Sequence, residues 1–298
     1  MSLPVRNFRG GSRSLENGNE QSRTSIVIPS LITICNAVCG FIALTLIAGS
    51  LEGSEIPKLA QLNKAAWFIL CGMLFDVFDG RIARATGSAS SIGAHLDSLS
   101  DLVTFGLAPA GLSLALYHAS VSGSVIKPLV WLFGLAYFLG ALLRLARFNA
   151  EHNPDEGSDG HLAFKGMPTP GAAGVIAGLV LVYFWLDQWN SWELELIAAE
   201  KPESVSQIVS LIPHFLPYVC FLLGYSMVSN RLIYPHVGSR FFTRGQSFDV
   251  FVSVVFGGTL IVFFVEPVVC ISFLIYMMLP MIRPILRLFS GRSVRETS

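Results

Sequence analysis

Four aspartates stand close together in the segment FDVFDGRIARATGSASSIGAHLDSLSD, residues 75–101: Asp76, Asp79, Asp97 and Asp101. Asp76 and Asp79 are three residues apart, and Asp97 and Asp101 are four apart, so on helices each pair shares one face. Four bare carboxylates in a small space repel one another and are costly to bury. Protonation, arginine partners or bound cations can relieve them. Arg81 and Arg84 are the local arginines, too few for four acids. Two divalent cations would balance the charge, and an all-oxygen donor set suits Mg²⁺ or Mn²⁺. His95 lies two residues from Asp97, so it faces away and is not counted as a ligand. Buried acids also mark ion paths in transporters, and the carboxylates alone leave the two readings even.

The residues between the acids favour a metal site. Gly80 follows Asp79, and Gly93 precedes Asp97 by four. Glycine beside an acid lets the backbone approach a phosphate closely. The intervening stretch, expected as a short turn from Arg81 to Gly93, is filled with Ala, Ser, Thr and Gly. Arg84 supplies a guanidinium suited to phosphate oxygens. Paired metals, small residues and an arginine fit a diphosphate, because two ions about 3.5–4 Å apart can clamp a phosphoryl group during displacement.

The elements that must position these groups are apolar. Of 298 residues, 52% are hydrophobic and 13% charged, against roughly 25% charged in a soluble domain. The mean hydropathy is +0.60. The net charge is zero, which gives no reason to expect a nucleic-acid partner. A membrane-crossing helix needs about 20 mostly apolar residues. Eight stretches qualify: 26–50, 65–84, 96–118, 127–148, 168–187, 208–229, 248–265 and 267–288. The last two are separated by Glu266-Pro267, which implies a tight hairpin. The fold class expected is all-α, a polytopic transmembrane bundle. If the N-terminus lies inside, sixteen of the twenty basic residues fall on inner segments, which predicts both termini and the aspartates on the cytosolic side. The loop 188–207 carries four glutamates and fits outside.

Residues 1–25 are polar, basic and Gly/Ser-rich, without a signal-peptide h-region, and read as a flexible cytosolic tail. The five cysteines sit in apolar segments and read as small core residues. Cys35 and Cys39 share a face, but no His or third Cys stands near to complete a zinc site. Gly171, Gly174 and Gly178 make a small-residue stripe, best read as close helix packing.

The run Asp76-x2-Asp79-Gly80-x2-Ala83-Arg84-x8-Gly93-x3-Asp97-x3-Asp101 resembles the signature of the CDP-alcohol phosphotransferases without a departure. That resemblance implies a six-helix membrane core, here followed by two C-terminal helices, and displacement of CMP from a CDP-linked lipid by an alcohol with Mg²⁺ or Mn²⁺. It implies Asp76, Asp79, Asp97 and Asp101 as metal ligands, with Asp101 also the general base. It places Gly80, Arg84 and Gly93 against the nucleotide and its diphosphate, and it implies a homodimer. LDSLSDLVTFGLAPA (96–110), RLARFN (144–149), FKGMPTPGAA (164–173) and, more weakly, MVSNRLIY (227–234) resemble the membrane-embedded phosphatidylserine synthases of that family. PSLITICNAVCG (29–40) resembles the first-helix pattern, but Ser30 replaces its usual Asn, which leaves Asn36 as the expected polar contact to the nucleotide. The resemblance spans residues 26–235, leaving 236–298 as two extra helices and a basic tail.

The implied substrates are CDP-diacylglycerol, entering from membrane lipid, and L-serine. Serine carries a carboxylate, and Arg144 and Arg147 end the fourth span on the side of the aspartates. A bidentate arginine holds a carboxylate well, although ordinary positive-inside anchoring explains one of the two equally well. Asn149 either bonds the serine or caps the helix. The polar loop 151–166 either covers the site or moves freely. Glycerol 3-phosphate, inositol phosphate or choline are the other acceptors to weigh, and two arginines would repel choline. From other classes, a cation transporter would need polar breaks reaching both membrane faces, whereas the outer halves look dry. A non-catalytic lipid-binding scaffold would be signalled by a missing aspartate, and all four are present.

Overall fold

The computed structural model describes residues 12–51, 55–86, 91–121, 127–151, 166–197, 203–229 and 265–289, and every regular element among them is helical. In chain order these are α1 (Ser12–Ser50), α2 (Glu55–Thr86), α3 (Ser91–Asp101), a π-helical turn (Leu102–Leu107), α4 (Ala108–Ser120), α5 (Lys127–Glu151), α6 (Thr169–Ile197), α7 (Glu203–Val228) and α8 (Val265–Phe289). Among the described residues, six stretches are long and apolar enough to cross a bilayer: Ser30–Ser50, Ile92–Ser120, Pro128–Ala150, Thr169–Gln188, Val205–Val228 and Val265–Ile282. The chain is an integral membrane protein. α2 is not among the six. Gln61, Asn63, Lys64, Asp76 and Asp79 interrupt its apolar run, yet Leu62, Ala65, Ala66 and Ile69 bury it in the bundle.

Several boundaries differ from expectation. α1 begins at Ser12, inside the segment read as a flexible tail; a helix anchored by its apolar half extends at little cost once nucleated. The turn expected over 81–93 is shorter, because α2 runs to Thr86 and α3 begins at Ser91. Ala83 and Ala85 favour continuing the helix. The expected span 248–265 lies outside the described residues apart from Val265. Glu266 and Pro267 fall in the first turn of α8, where an acid suits the helix dipole and proline has no intrahelical N–H to lose.

α6 is the centre of the bundle. Ala172, Ala173, Val175, Ile176, Ala177, Val180 and Leu181 are fully buried, and α2, α4, α7 and α8 all pack on it. Small residues set how closely the helices approach. Gly140 of α5 meets the Gly224 backbone of α7, where an added methyl would stand 2.6 Å from the Gly224 carbonyl oxygen. Gly72 of α2 leaves room for Asn36 and Thr104 beside it. Gly166 has φ +89°, the one positive φ among the described glycines. Its conformation turns the chain so that the Met167 amide donates to the Ser226 carbonyl at 3.2 Å, and Met167 is fully buried. Pro168 and Pro170 then flank the start of α6 at Thr169.

The third span is not one uniform helix. Between Asp101 and Ala108 it widens into the π turn, closed by the Ala108 amide donating to the Val103 carbonyl. Pro109 explains this. It has no N–H to offer the Phe105 carbonyl four residues back, and in an α-helix its ring would clash there. The Tyr137 hydroxyl from α5 donates to that carbonyl at 2.9 Å, and both residues are fully buried.

Candidate active site

α2 and α3 bring the two acid pairs together as their spacing requires. Asp76, Asp97 and Asp101 each offer a carboxylate oxygen, and these oxygens all lie within 4.8 Å of one another. Asp79 stands just outside that group but close enough for its charge to act on Asp76, Asp97 and Asp101. Its carboxylate accepts from the Thr33 hydroxyl of α1 and from the Gly80 amide. Asp79 and Asp101 are the buried charged residues among those described, and Asp76 and Asp97 are half-buried.

The donor set fits a hard divalent cation. It is all oxygen, it is drawn from two rigid helices, and it carries one charge per residue. Oδ1 of Asp97 and Oδ2 of Asp79 are buried with no hydrogen-bond partner among the described residues. Buried acceptors of this kind call for an ion or a donor.

Asp101 is held from behind. Asn36 Nδ2 of α1 donates to Asp101 Oδ1 at 3.1 Å, and Asn36 is fully buried. The Thr104 hydroxyl, from the π turn, donates to the Asn36 carbonyl at 3.0 Å. Asn36, expected beside the nucleotide, thus has its amide nitrogen engaged on Asp101. The extra residue of the π turn is what aims Thr104 at α1; π turns recur at functional sites for this kind of re-aiming.

On the other side of the acids stands Arg144 of α5. The charges of Asp101 and Asp76 both act on its guanidinium. Its Nη1 donates to the Thr169 hydroxyl at 3.4 Å, and its Nε is buried with no hydrogen-bond partner among the described residues. Arg147, one turn along, is half-buried and close enough for its charge to act on Arg144. Asn149 accepts from the Ser98 hydroxyl through Oδ1 at 2.9 Å, which ties the end of α5 to α3. Gly80 and Gly93 lie on the facing ends of α2 and α3. Arg84 lies on the last turns of α2, and its side chain falls outside the described residues, as does most of the loop 151–166. Sequence reasoning did not find Thr33, Thr104 or Tyr137; Pro109 was the signal that could have pointed to the last two.

A profile of the CDP-alcohol phosphatidyltransferase family matches residues 26–200. The chain belongs to that family. Among its curated relatives, it is 36% identical over 151 residues to the CDP-diacylglycerol–serine O-phosphatidyltransferase of Saccharomyces cerevisiae, covering 50% of this chain and 51% of that one. It is 36% identical over 170 residues to the archaetidylserine synthase of Methanothermobacter thermautotrophicus, covering 56% and 64%. It is 36% identical over 157 residues to the CDP-diacylglycerol–serine O-phosphatidyltransferase of Bacillus subtilis, covering 52% and 73%. The matched part thus spans about half to three-quarters of each relative, and α8 lies beyond the family match.

Proposed function

We propose that the protein transfers the phosphatidyl group of CDP-diacylglycerol to the hydroxyl of L-serine, giving phosphatidylserine and CMP, in phospholipid synthesis. The observation that carries this reading is the convergence of Asp76, Asp97 and Asp101 opposite Arg144 in a chain of this family. The names of the three relatives share serine even though one of them names a different lipid, which supports serine as the acceptor.

Asp76, Asp79, Asp97 and Asp101 would hold Mg²⁺ or Mn²⁺, two ions by charge. Bound there, the cations neutralise the diphosphate and the departing CMP. The chain's own residues do the rest. Asn36 keeps Asp101 turned toward the acceptor. Asp101 takes the serine hydroxyl proton as the oxygen attacks the lipid-side phosphorus; a carboxylate deprotonates a hydroxyl only as the new bond forms. Arg144 holds the serine carboxylate, with Arg147 adding positive charge and Asn149 closing the end of the subsite. Gly80, Gly93 and Arg84 line the nucleotide side. Catalysis of this kind is positioning and electrostatics.

The basic residues favour a cytosolic active site, with both termini on that side and the lipid donor entering from the inner leaflet. A homodimer is the assembly the family resemblance implies. The transporter reading is disfavoured by the placement of charge: the buried acids lie at one end. The opposite end is less dry than expected, since Gln61 and Asn63 bury oxygens there with no hydrogen-bond partner among the described residues, but these side chains are uncharged.

Reconstitution into vesicles containing CDP-diacylglycerol, with Mg²⁺ or Mn²⁺, tests the reading. CMP release is followed with L-serine, glycerol 3-phosphate, inositol phosphate or choline. Serine-dependent release is expected. Release with another acceptor and none with serine would overturn the acceptor while keeping the reaction type.

A further inference from the structure

We propose that Tyr276, from the last helix α8, is a positioning residue that sets Arg144 for the acceptor's carboxylate; this rests on the serine reading above. α8 lies outside the region matched by the family, and its docking is built into α6. The stripe Gly171, Gly174, Gly178 lies against Tyr276, Phe273 and Cys270 in turn. One series ascends while the other descends, so the two helices run antiparallel. There is no room for a side chain at Gly174 or Gly178, and at Gly171 only if the neighbouring ring shifts slightly. A methyl at Gly178 would stand 2.9 Å from the Cys270 Cα, and one at Gly174 would overlap the Phe273 ring. A methyl at Gly171 would stand 3.0 Å from Cε1 of Tyr276. The stripe therefore seats α8 in one register, which fixes where the Tyr276 ring lies.

That place is the back of the Arg144 site. Two residues before Gly171, the fully buried Thr169 accepts from Arg144 Nη1 at 3.4 Å. The Tyr276 phenol is within electrostatic reach of the same guanidinium. Arg144 thus has Thr169 and Tyr276 on the α6–α8 side and the acids on the other. Its Nε has no partner among the described residues and is left for a ligand. A guanidinium drawn only by Asp101 and Asp76 would swing into the metal-binding acids and be lost to an acceptor. Thr169 holds the guanidinium against that through its hydrogen bond, and in this proposal the Tyr276 phenol adds its dipole on the same side, which keeps the arginine between acids and acceptor.

The experiment compares wild type, Arg144→Lys, Tyr276→Phe, Gly171→Ala and the Tyr276→Phe/Gly171→Ala double variant in vesicles. It reads kcat, KM for L-serine, KM for CDP-diacylglycerol and the serine-induced thermal shift of the purified protein. Tyr276→Phe should raise the serine KM about tenfold and shrink the serine-induced shift, with kcat and the lipid KM within about twofold. Gly171→Ala should raise the serine KM in the same direction, and adding it to Tyr276→Phe should raise it little further, because both act through one phenol. An unchanged serine KM in Tyr276→Phe while Arg144→Lys raises it would overturn the role of Tyr276 alone. Parallel falls in kcat, lipid affinity and melting temperature would overturn it in favour of simple packing. An Arg144→Lys protein with wild-type serine KM would overturn both this role and the serine reading beneath it.

Discussion

On the α2–α3 side of the site the polar groups come from two helices adjacent in the chain and carry like charge. On the α5–α6–α8 side they come from three helices spread over more than a hundred residues, and they combine one guanidinium with neutral hydroxyls. The first arrangement is held apart by repulsion until something positive enters. The second carries positive charge and an unpartnered Nε among the described residues, and needs to hold its geometry for an incoming anion. Their substitutions should therefore fail in different ways: the acid side through the chemical step, the arginine side through acceptor binding.

Removal of the divalent cation tests the acid side most severely. Chelation with excess EDTA should abolish CMP release, and Mg²⁺ or Mn²⁺ should restore it. Loading should also raise the melting temperature, since an ion bound to the native state and not the unfolded chain stabilises it. Full activity after exhaustive chelation would show that the acids serve some other purpose. Asp101→Asn comes next in size. It keeps the shape, and an asparagine there can still meet Asn36, but the base is gone. A loss of about 10²–10⁴ in kcat is expected, with the serine KM little changed. Near-normal CMP release would remove Asp101 from the base role.

Arg144→Lys probes the other side. Lysine keeps the charge but loses the planar fork that can grip a carboxylate and Thr169 together. The serine KM should rise roughly ten- to a hundredfold, the range of one charge-assisted hydrogen bond. The kcat at saturating serine should fall far less than in Asp101→Asn. Equal falls in kcat for both variants would erase the distinction between the two sides.

The same difference decides what could be read without coordinates. The acids were legible because their spacing of three, four and about twenty residues is local, and a helix turns such spacing directly into a shared face. Arg144 and Arg147 were legible only as a pair: three apart, both near the inner end, with nothing in the spacing to say which faces the acids. Packing separates them, since Arg144 bonds the start of α6. The glycine stripe was legible as a close-packing surface, but not its partner, because matching Gly171 to Tyr276 needs a long-range pairing that periodicity does not carry. Asn36 was found for its polarity in an apolar helix and expected to face the nucleotide. The π turn behind Asp101 redirects that expectation, because Thr104 and Asp101 both reach back to it.

That π turn supplies the smallest test. Tyr137 sits on α5, the helix of Arg144, but its hydroxyl serves the acid side by bonding the Phe105 carbonyl that Pro109 cannot. Tyr137→Phe keeps the ring and removes one hydrogen-bond donor. The carbonyl is fully enclosed, so no water replaces it, and such an orphaned acceptor costs about 1–3 kcal/mol. The melting temperature should drop by a few degrees. The turn begins one residue after Asp101, so kcat should fall severalfold, well short of Asp101→Asn, while the serine KM stays put although Tyr137 and Arg144 share a helix. A rise in serine KM with kcat unchanged would mean that α5 transmits the defect to Arg144 rather than to Asp101, and that the two sides are coupled through that helix.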